Sequence, residues 1–234
     1  MSAVENIKRE ILLAILKETA ALNHVKIDNI AKSAHTPRTL VRDFIMEFSE
    51  GGLLKIHNET IAVNGAQRLK IALKAAELGS DIERIARFLT WSEFERFSRI
   101  SFEENGFIVK MNFRFVWLSK RWEIDILGVK RPIVISADCK HWQRKWSGTA
   151  SLRAVEMQVE RTKALAEASR RLAGKIGIKG WRYAYFVPIV LSLFPSQHKF
   201  HERTPIVPIL SLNDFLQNVI AHLDDINSFY ISYA

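Results

Sequence analysis

Cysteine is almost absent: Cys139 stands alone in 234 residues. The chain therefore makes neither an internal disulfide nor a thiolate zinc site, and a reducing intracellular compartment is the simpler expectation. Long apolar runs are missing as well. ILLAIL at 11–16 is typical of the longest, far below the ~20 residues that span a bilayer, and the mixed charges of MSAVENIKRE do not make a secretory leader. No membrane partner is expected. There is no Gly-rich Walker loop, no G-x-S-x-G elbow, no H-E-x-x-H and no dinucleotide fingerprint, so nucleotide hydrolysis, serine hydrolysis, zincin chemistry and hydride transfer are poorly supported. His198 and His201 are three apart but lack a third ligand for zinc.

What is present is a globular composition, 48% hydrophobic, with a formal charge of +9. The charge is unevenly placed. Residues 1–90 carry 13 basic and 11 acidic side chains, whereas residues 110–182 carry 17 basic and 6 acidic, a local net of +11. Trp117, Trp122, Trp142, Trp146 and Trp181 are interleaved with that excess. Such a surface suits a phosphate backbone, so nucleic acid is preferred over a merely solvated basic face.

Residues 5–20 space Ile7, Ile11, Leu12, Ile15 and Leu16 as one helical stripe, and Asp28 is expected to cap a short second helix. Thr36-Pro37 reads as an N-cap followed by proline at the first helical position. The third helix then runs to about Glu50, with Leu40, Val41, Phe44, Ile45 and Phe48 inward and Arg38, Thr39 and Arg42 outward. LLKIH and TIAVN follow as two short strands around Asn58-Glu59. The stretch IAKSAHTPRTLVRDFIMEFSEGGLL, with this element order, resembles the winged helix-turn-helix family. The resemblance implies that Arg38, Thr39 and Arg42 face base edges or phosphates, with Lys55 and His57 on the wing. Winged helices also serve as protein-contact modules. Residues 65–90 read as two more helices, a connector without a Pro/Ser-rich flexible linker.

RWEIDILGVKRPIVISADCKHW reads as a hairpin of two strands around Gly-Val-Lys-Arg-Pro. Alternation puts Glu123, Asp125 and Leu127 on one face, and Val134, Ser136, Asp138 and Lys140 on one face of the partner. A turn centred on Lys130 and Arg131 would set Asp125 opposite Ser136 and diagonal to Asp138, roughly 7–8 Å apart. Two carboxylates so placed repel each other unless compensated. A Mg²⁺ or Mn²⁺ ion compensates, and a lysine beside it orients or deprotonates a metal-bound water. Cys139 points to the other face as a core residue.

Asp125 with Asp138-Cys139-Lys140 closing an apolar strand resembles the PD-(D/E)xK nuclease superfamily, from about Trp91 to about Leu216. WSEFERFSRISFEENGFIV looks like the opening helix of that family, whose acidic residue completes the metal site. Helical geometry leaves Glu93 and Glu95 both flanking the apolar stripe; the resemblance selects Glu95. It implies Glu95, Asp125 and Asp138 as metal ligands and Lys140 as the catalytic lysine. It also implies a site role for Gln158, on the helix SLRAVEMQVERTKALAEASRRL, as in relatives near the Mrr-type restriction enzymes and archaeal Holliday junction resolvases. The chain departs from the Mrr pattern in having Lys120-Arg121-Trp122-Glu123 before Asp125 and an acid, Asp138, where that group has glutamine. That weakens a specific restriction role.

His141, Trp142, Arg144, Lys145 and Trp146 then read as a basic, aromatic loop that grips DNA, with Arg153 just beyond. RYAYFVPIVLSL and PIVPIL read as buried strands, and Ser211 with Asp214 as the cap of a final helix. Asp224 and Asp225 are expected on a C-terminal helix, and FYISYA either finishes the core or offers an interface. The expected fold is therefore α/β (α+β): a winged helix-turn-helix domain at 1–64, a helical connector at 65–90, and a restriction-endonuclease-like mixed sheet flanked by helices at 91–234. The expected activity is metal-dependent DNA endonuclease, in the cytoplasm and nucleoid-associated, with a homodimer compatible with two-strand cleavage. The alternative is a non-catalytic DNA-binding regulator or nucleoprotein component.

Overall fold

A computed structural model describes residues 2–140, 149–193 and 199–233, with the backbone alone at 82–83 and 149–151. The chain is mixed α and β, with eight α-helices and ten strands among the described residues. It divides into two units, Met1–Phe94 and Glu95–Ala234. No helix among the described residues is long and apolar enough to cross a membrane.

The first unit begins with α1 (Ala3–Glu18), opened by a capping box in which Ser2 and Glu5 satisfy each other's backbone N–H groups. Its stripe Ile11, Leu12, Ile15 and Leu16 is wholly buried. β1 (His24–Lys26), α2 (Ile27–Ser33), α3 (Arg38–Glu50) and the hairpin β2 (Lys55–His57) and β3 (Thr60–Ala62) follow. β1 pairs with β3, giving a three-stranded antiparallel sheet in the order β1-β3-β2. Three residues around Val25 carry too little alternation to be read as a strand from sequence; only the partner strand reveals them. The caps expected at Asp28 and Thr36 do not form. The residues preceding α2 and α3 are Lys26 and Pro37, and Thr36 Oγ1 donates instead to Ala34 O at 3.0 Å, closing its own turn.

α4 (Gly65–Glu77) carries the second capping box, Asn64 with Gln67. Arg68 on this helix is buried and donates to Leu16 O at 2.7 Å, tying α4 to α1. The same guanidinium meets Glu93 Oε1 at 2.5 Å, across from α5 (Ile82–Ala86) at the start of α6 (Trp91–Glu104). Helices expected as a connector thus pack into the first unit.

In the second unit β4 (Ile108–Trp117), β5 (Lys120–Lys130) and β6 (Ile133–Lys140) form an antiparallel meander. α7 (Thr149–Ile176) leads to β7 (Tyr183–Ser192), parallel to β6 along eight residues. β8 (Phe200–His201) turns into β9 (Thr204–Pro208), which runs parallel to the end of β7. A 3-10 turn at Ile209–Ser211 enters α8 (Leu212–Asn218), and β10 (Phe229–Ser232) returns antiparallel to the start of β7. The sheet is mixed, in the order β4-β5-β6-β7-β9-β8 with β10 also on β7.

Two details of the C-terminal part differ from expectation, and the last segment takes one of the two roles open to it. Ser211 makes no side-chain cap. Asp224 and Asp225 lie in turns after α8, and FYISYA holds a strand. β10 completes the sheet because β9 leaves the first residues of β7 unpaired on that side.

α7 lays one stripe, Val155, Gln158, Thr162, Leu165, Ser169, Leu172 and Ile176, toward the sheet at alternating spacings of three and four. Leu127, Val129, Val134, Ala184 and Phe186 meet Leu165, Leu172 and Ile176 in one core cluster, and Val190 and Ile206 meet Val155 in another. Elsewhere on the sheet Phe102 of α6 lies so close to Gly128 that a Cβ there would sit 2.5 Å from Phe102 Cδ1. Gly128→Ala is therefore expected to destabilise by roughly 1–3 kcal/mol, the usual cost of overpacking. Urea unfolding measures it, and an unchanged midpoint would mean that Phe102 moves aside freely.

Candidate functional site

The hairpin of β5 and β6 turns at Arg131-Pro132, not at Lys130-Arg131. Pairing runs from Lys130 opposite Ile133 to Ile126 opposite Ala137, and Leu127, not Asp125, faces Ser136. Proline has no N–H to give the ladder, so it belongs in the turn while Lys130 stays in the strand. The two-residue shift carries Asp125 one step past the last pair, where continued pairing would set it opposite Asp138.

Strict alternation along β5 also fails at this point. Ile124 and Leu127 have opposite parity, yet both enter the core cluster with α7. On β4, Lys110 donates to Lys175 O at the end of α7, and Phe113 packs into that cluster too. Both strands therefore change phase between these residues. At the change, the ladder steps from Met111–Ile126 to Phe113–Ile124, with Asn112 at φ +50°; asparagine is among the side chains that tolerate this region best. Glu123 consequently turns out to solvent, paired with Arg114 at 3.0 Å, and does not share a face with Leu127. Asp125 sits where pairing lapses on both of its sides. Its Oδ2 accepts from Cys139 N–H at 2.7 Å, a backbone donor that a continuous ladder would have used.

Asp138 is 3% exposed and lies between two cations, Lys140 Nζ at 2.9 Å from Oδ2 and Arg161 Nη1 at 2.8 Å from Oδ1. Gln158, fully buried on α7, does not point at the carboxylates. Its Nε2 donates to Ser136 O at 2.6 Å and to Ser136 Oγ at 3.0 Å, and its Oε1 accepts from Arg161 at 2.7 Å. It thus fixes Arg161, which in turn holds Asp138. Arg161 was not foreseen from sequence. The available signal was its place three residues after Gln158, on the adjoining helical face.

Burial pushes the Asp125 carboxyl above its ordinary value, against the Cys139 N–H, and the Asp138 charge pushes it further up, against Lys140 and Arg161. Burial likewise drives the Cys139 thiol well up, and Asp125, Asp138 and Glu95 add to it. Cys139 is therefore a protonated core residue and no nucleophile.

Two neighbouring carboxylates, one of them raised partly by the charge of the other, are the hard oxygen ligands that Mg²⁺ or Mn²⁺ favours. Asp125 and Asp138 fit such an ion. Among the described residues no group of three His, Cys, Asp or Glu gathers to hold a metal; Glu95, half-buried on α6, lies near enough for its charge to act on the Cys139 thiol together with both aspartates. Glu93, the other candidate acid at the start of that helix, is committed to Arg68.

The remaining expected residues lie apart from this pair. Arg38, Thr39 and Arg42 are exposed at the start of α3, and Lys55 and His57 are exposed on β2. Arg38 meets Asp28 at 2.7 Å and Glu59 at 2.9 Å, and Arg42 meets Glu59 at 3.6 Å, so both guanidinium groups already have acidic neighbours. Arg153 is exposed near the start of α7. His141, Trp142, Arg144, Lys145 and Trp146, with His198, fall outside the described residues.

No protein-family model matches the chain. A solved Vibrio cholerae protein is 13% identical with a TM-score of 0.40, covering 96% of this chain and 58% of its own. A solved protein of unknown function is 15% identical with a TM-score of 0.30, covering 51% of this chain and 64% of its own. The chain thus spans less than two thirds of either. An uncharacterized protein of Archaeoglobus fulgidus is 31% identical over 135 residues, which is 58% of this chain and 95% of that protein. With that identity along nearly all of the archaeal protein, the chain belongs to the family of this uncharacterized Archaeoglobus fulgidus protein.

Proposed function

We propose that the chain is a divalent-metal-dependent DNA endonuclease of the PD-(D/E)xK type, in which a winged helix-turn-helix unit directs a restriction-endonuclease-like core. The observation that carries the reading is the Asp125 carboxylate held on the N–H of Cys139, the residue between Asp138 and Lys140, where β5 loses its pairing. A bound Mg²⁺ or Mn²⁺ would supply Lewis-acid polarisation of the phosphate and a water of lowered pKa. Asp125 and Asp138 would hold it. Lys140, 31% exposed and beside Asp138, is placed to orient the attacking water and to stabilise charge developing on phosphorus oxygens. Arg161 positions Asp138, and Gln158 positions Arg161. The local net charge of +11 over 110–182 draws the polyanion to this half of the chain. In the first unit, phosphates would compete with Asp28 and Glu59 for Arg38 and Arg42, exposed pairs that are weak in water.

One observation favours the alternative of a non-catalytic DNA-binding module. Both oxygens of Asp138 are held by side-chain cations, which neutralise it without a metal. Supercoiled plasmid and branched DNA incubated with Mg²⁺ or Mn²⁺ separate the two. Cleavage that disappears in Asp138→Ala supports the nuclease; no cleavage of any substrate, or undiminished cleavage by Asp138→Ala, sinks it.

A further inference from the structure

The far end of the β4–β5 hairpin carries a second site-like feature, away from the aspartates. A groove of about 590 Å³ opens between the hairpin and the C-terminal part of α7, lined by Arg114, Phe115, Arg121, Trp122, Leu172 and Lys175 among others. Its aromatic wall is a cross-strand pair. Phe115 lies opposite Trp122, with ring centroids 6.5 Å apart and planes within 16°. The ammonium of Lys120 rests 3.8 Å from the Trp122 ring centroid. A ring face that holds a cation in water is a face on which a planar base also stacks. The indole N–H of Trp122 is buried with no acceptor among the described residues.

The cations of the groove differ in what they already do. Arg114 is paired with Glu123, and Lys175 donates to Arg114 O at 2.5 Å. Arg121 is exposed and has no partner among the described residues, so it is the guanidinium open to an incoming anion. The hairpin tip adds a third property. Leu118 and Ser119 form it at φ +47° and +62°, and Leu118 is 79% exposed. Asparagine or glycine suits that backbone far better than leucine. An apolar side chain kept in water at a costly position, on a basic and aromatic hairpin, has the form of a wedge that separates stacked bases.

We infer that the β4–β5 hairpin is a single-strand grip: the groove takes an unpaired stretch of nucleic acid, with a base on Trp122, phosphates on Arg121 and Lys120, and Leu118 at the junction with duplex. The base takes the place of the Lys120 ammonium, which then meets phosphate. This inference rests on the nucleic-acid part of the proposed function and specifies the substrate: DNA with an unpaired segment next to duplex. It does not require cleavage.

The test is fluorescence anisotropy of full-length protein carrying Asp125→Asn, with a labelled forked oligonucleotide and a blunt duplex of the same sequence. The fork is expected to bind more tightly. Arg121→Ala is expected to weaken fork binding and to lower its salt dependence by about one ion. Leu118→Asn, which suits the backbone and keeps the fold, is expected to abolish the preference for fork over duplex. Equal binding of fork and duplex by the parent protein, or unchanged fork binding in both variants, overturns the inference. An equal loss on both substrates in Arg121→Ala makes the groove a duplex contact and overturns it too. Failure of the nuclease reading looks different: wild type cleaves nothing while these variants still alter fork binding.

Discussion

Asp125→Asn is expected to lower metal-dependent DNA cleavage on the order of 10³-fold, the scale for losing a group that stabilises transition-state charge, while leaving the metal-free protein at least as stable as wild type. The second half follows from the direction of the Asp125 shift. Its carboxyl is raised, first by burial and then by Asp138, so the folded chain binds that proton more tightly than the unfolded chain does. The stability this group contributes is fully present below the unfolded value and is lost as pH rises through the raised folded value. At neutral pH the ionised Asp125 therefore weighs against the fold, and a neutral amide that still accepts from Cys139 N–H relieves it. Thermal unfolding in chelator should show Asp125→Asn equal or higher in midpoint near neutrality, with any gap closing as pH falls into the carboxylate range. A clear drop in the midpoint would mean that the carboxylate is a structural anchor, and full cleavage by the variant would remove Asp125 from the chemistry. A site that costs stability is the expected mark of function rather than of folding.

The largest loss of stability is expected in the first unit, from Arg68→Ala. Arg68 and Glu93 are 2% and 5% exposed. The guanidinium meets Glu93 at 2.5 Å, Thr19 Oγ1 at 2.5 Å, Leu16 O at 2.7 Å and Phe88 O at 2.5 Å. Glu93 also accepts from Thr90 N–H at 2.8 Å. Removing Arg68 leaves a buried carboxylate without its cation and two carbonyls without a donor, a change that costs about 3–5 kcal/mol. Urea unfolding reads this directly. The paired change Arg68→Met with Glu93→Leu should recover most of it, since exchanging both charges for apolar volume removes the desolvation burden along with the attraction. A loss below about 1 kcal/mol for Arg68→Ala would mean that the pair behaves as a solvated one.

The helices were legible from the sequence wherever an apolar stripe was continuous, as at Ile11 to Leu16 or along α7, because burial of one face follows from the 3.6-residue repeat alone. Cap chemistry was less legible. Thr36 and Ser211 have the right side chains in the right places, yet Thr36 closes a turn and Ser211 makes no cap bond, whereas Ser2, Asn64 and Thr90 do cap their helices. A hydroxyl has several backbone groups within reach, and the chain path chooses among them.

The candidate site divides in the same way. Asp125, Asp138 and Lys140 could be found on adjacent strands because residue type and strand period are local properties. Three features could not. The register depends on whether Lys130 or Pro132 occupies the turn; the change of phase at Asp125 depends on Asn112 in the neighbouring strand; and Arg161 reaches Asp138 only because Gln158 anchors α7 to Ser136. Composition and local pattern by themselves determined a basic, mixed α and β chain with two acids and a lysine at the end of a hairpin. Tertiary structure alone decided which acid is buried, which cations hold it and where the basic hairpin opens a groove, because those depend on pairings between segments far apart in sequence, whose free energy no single segment contains.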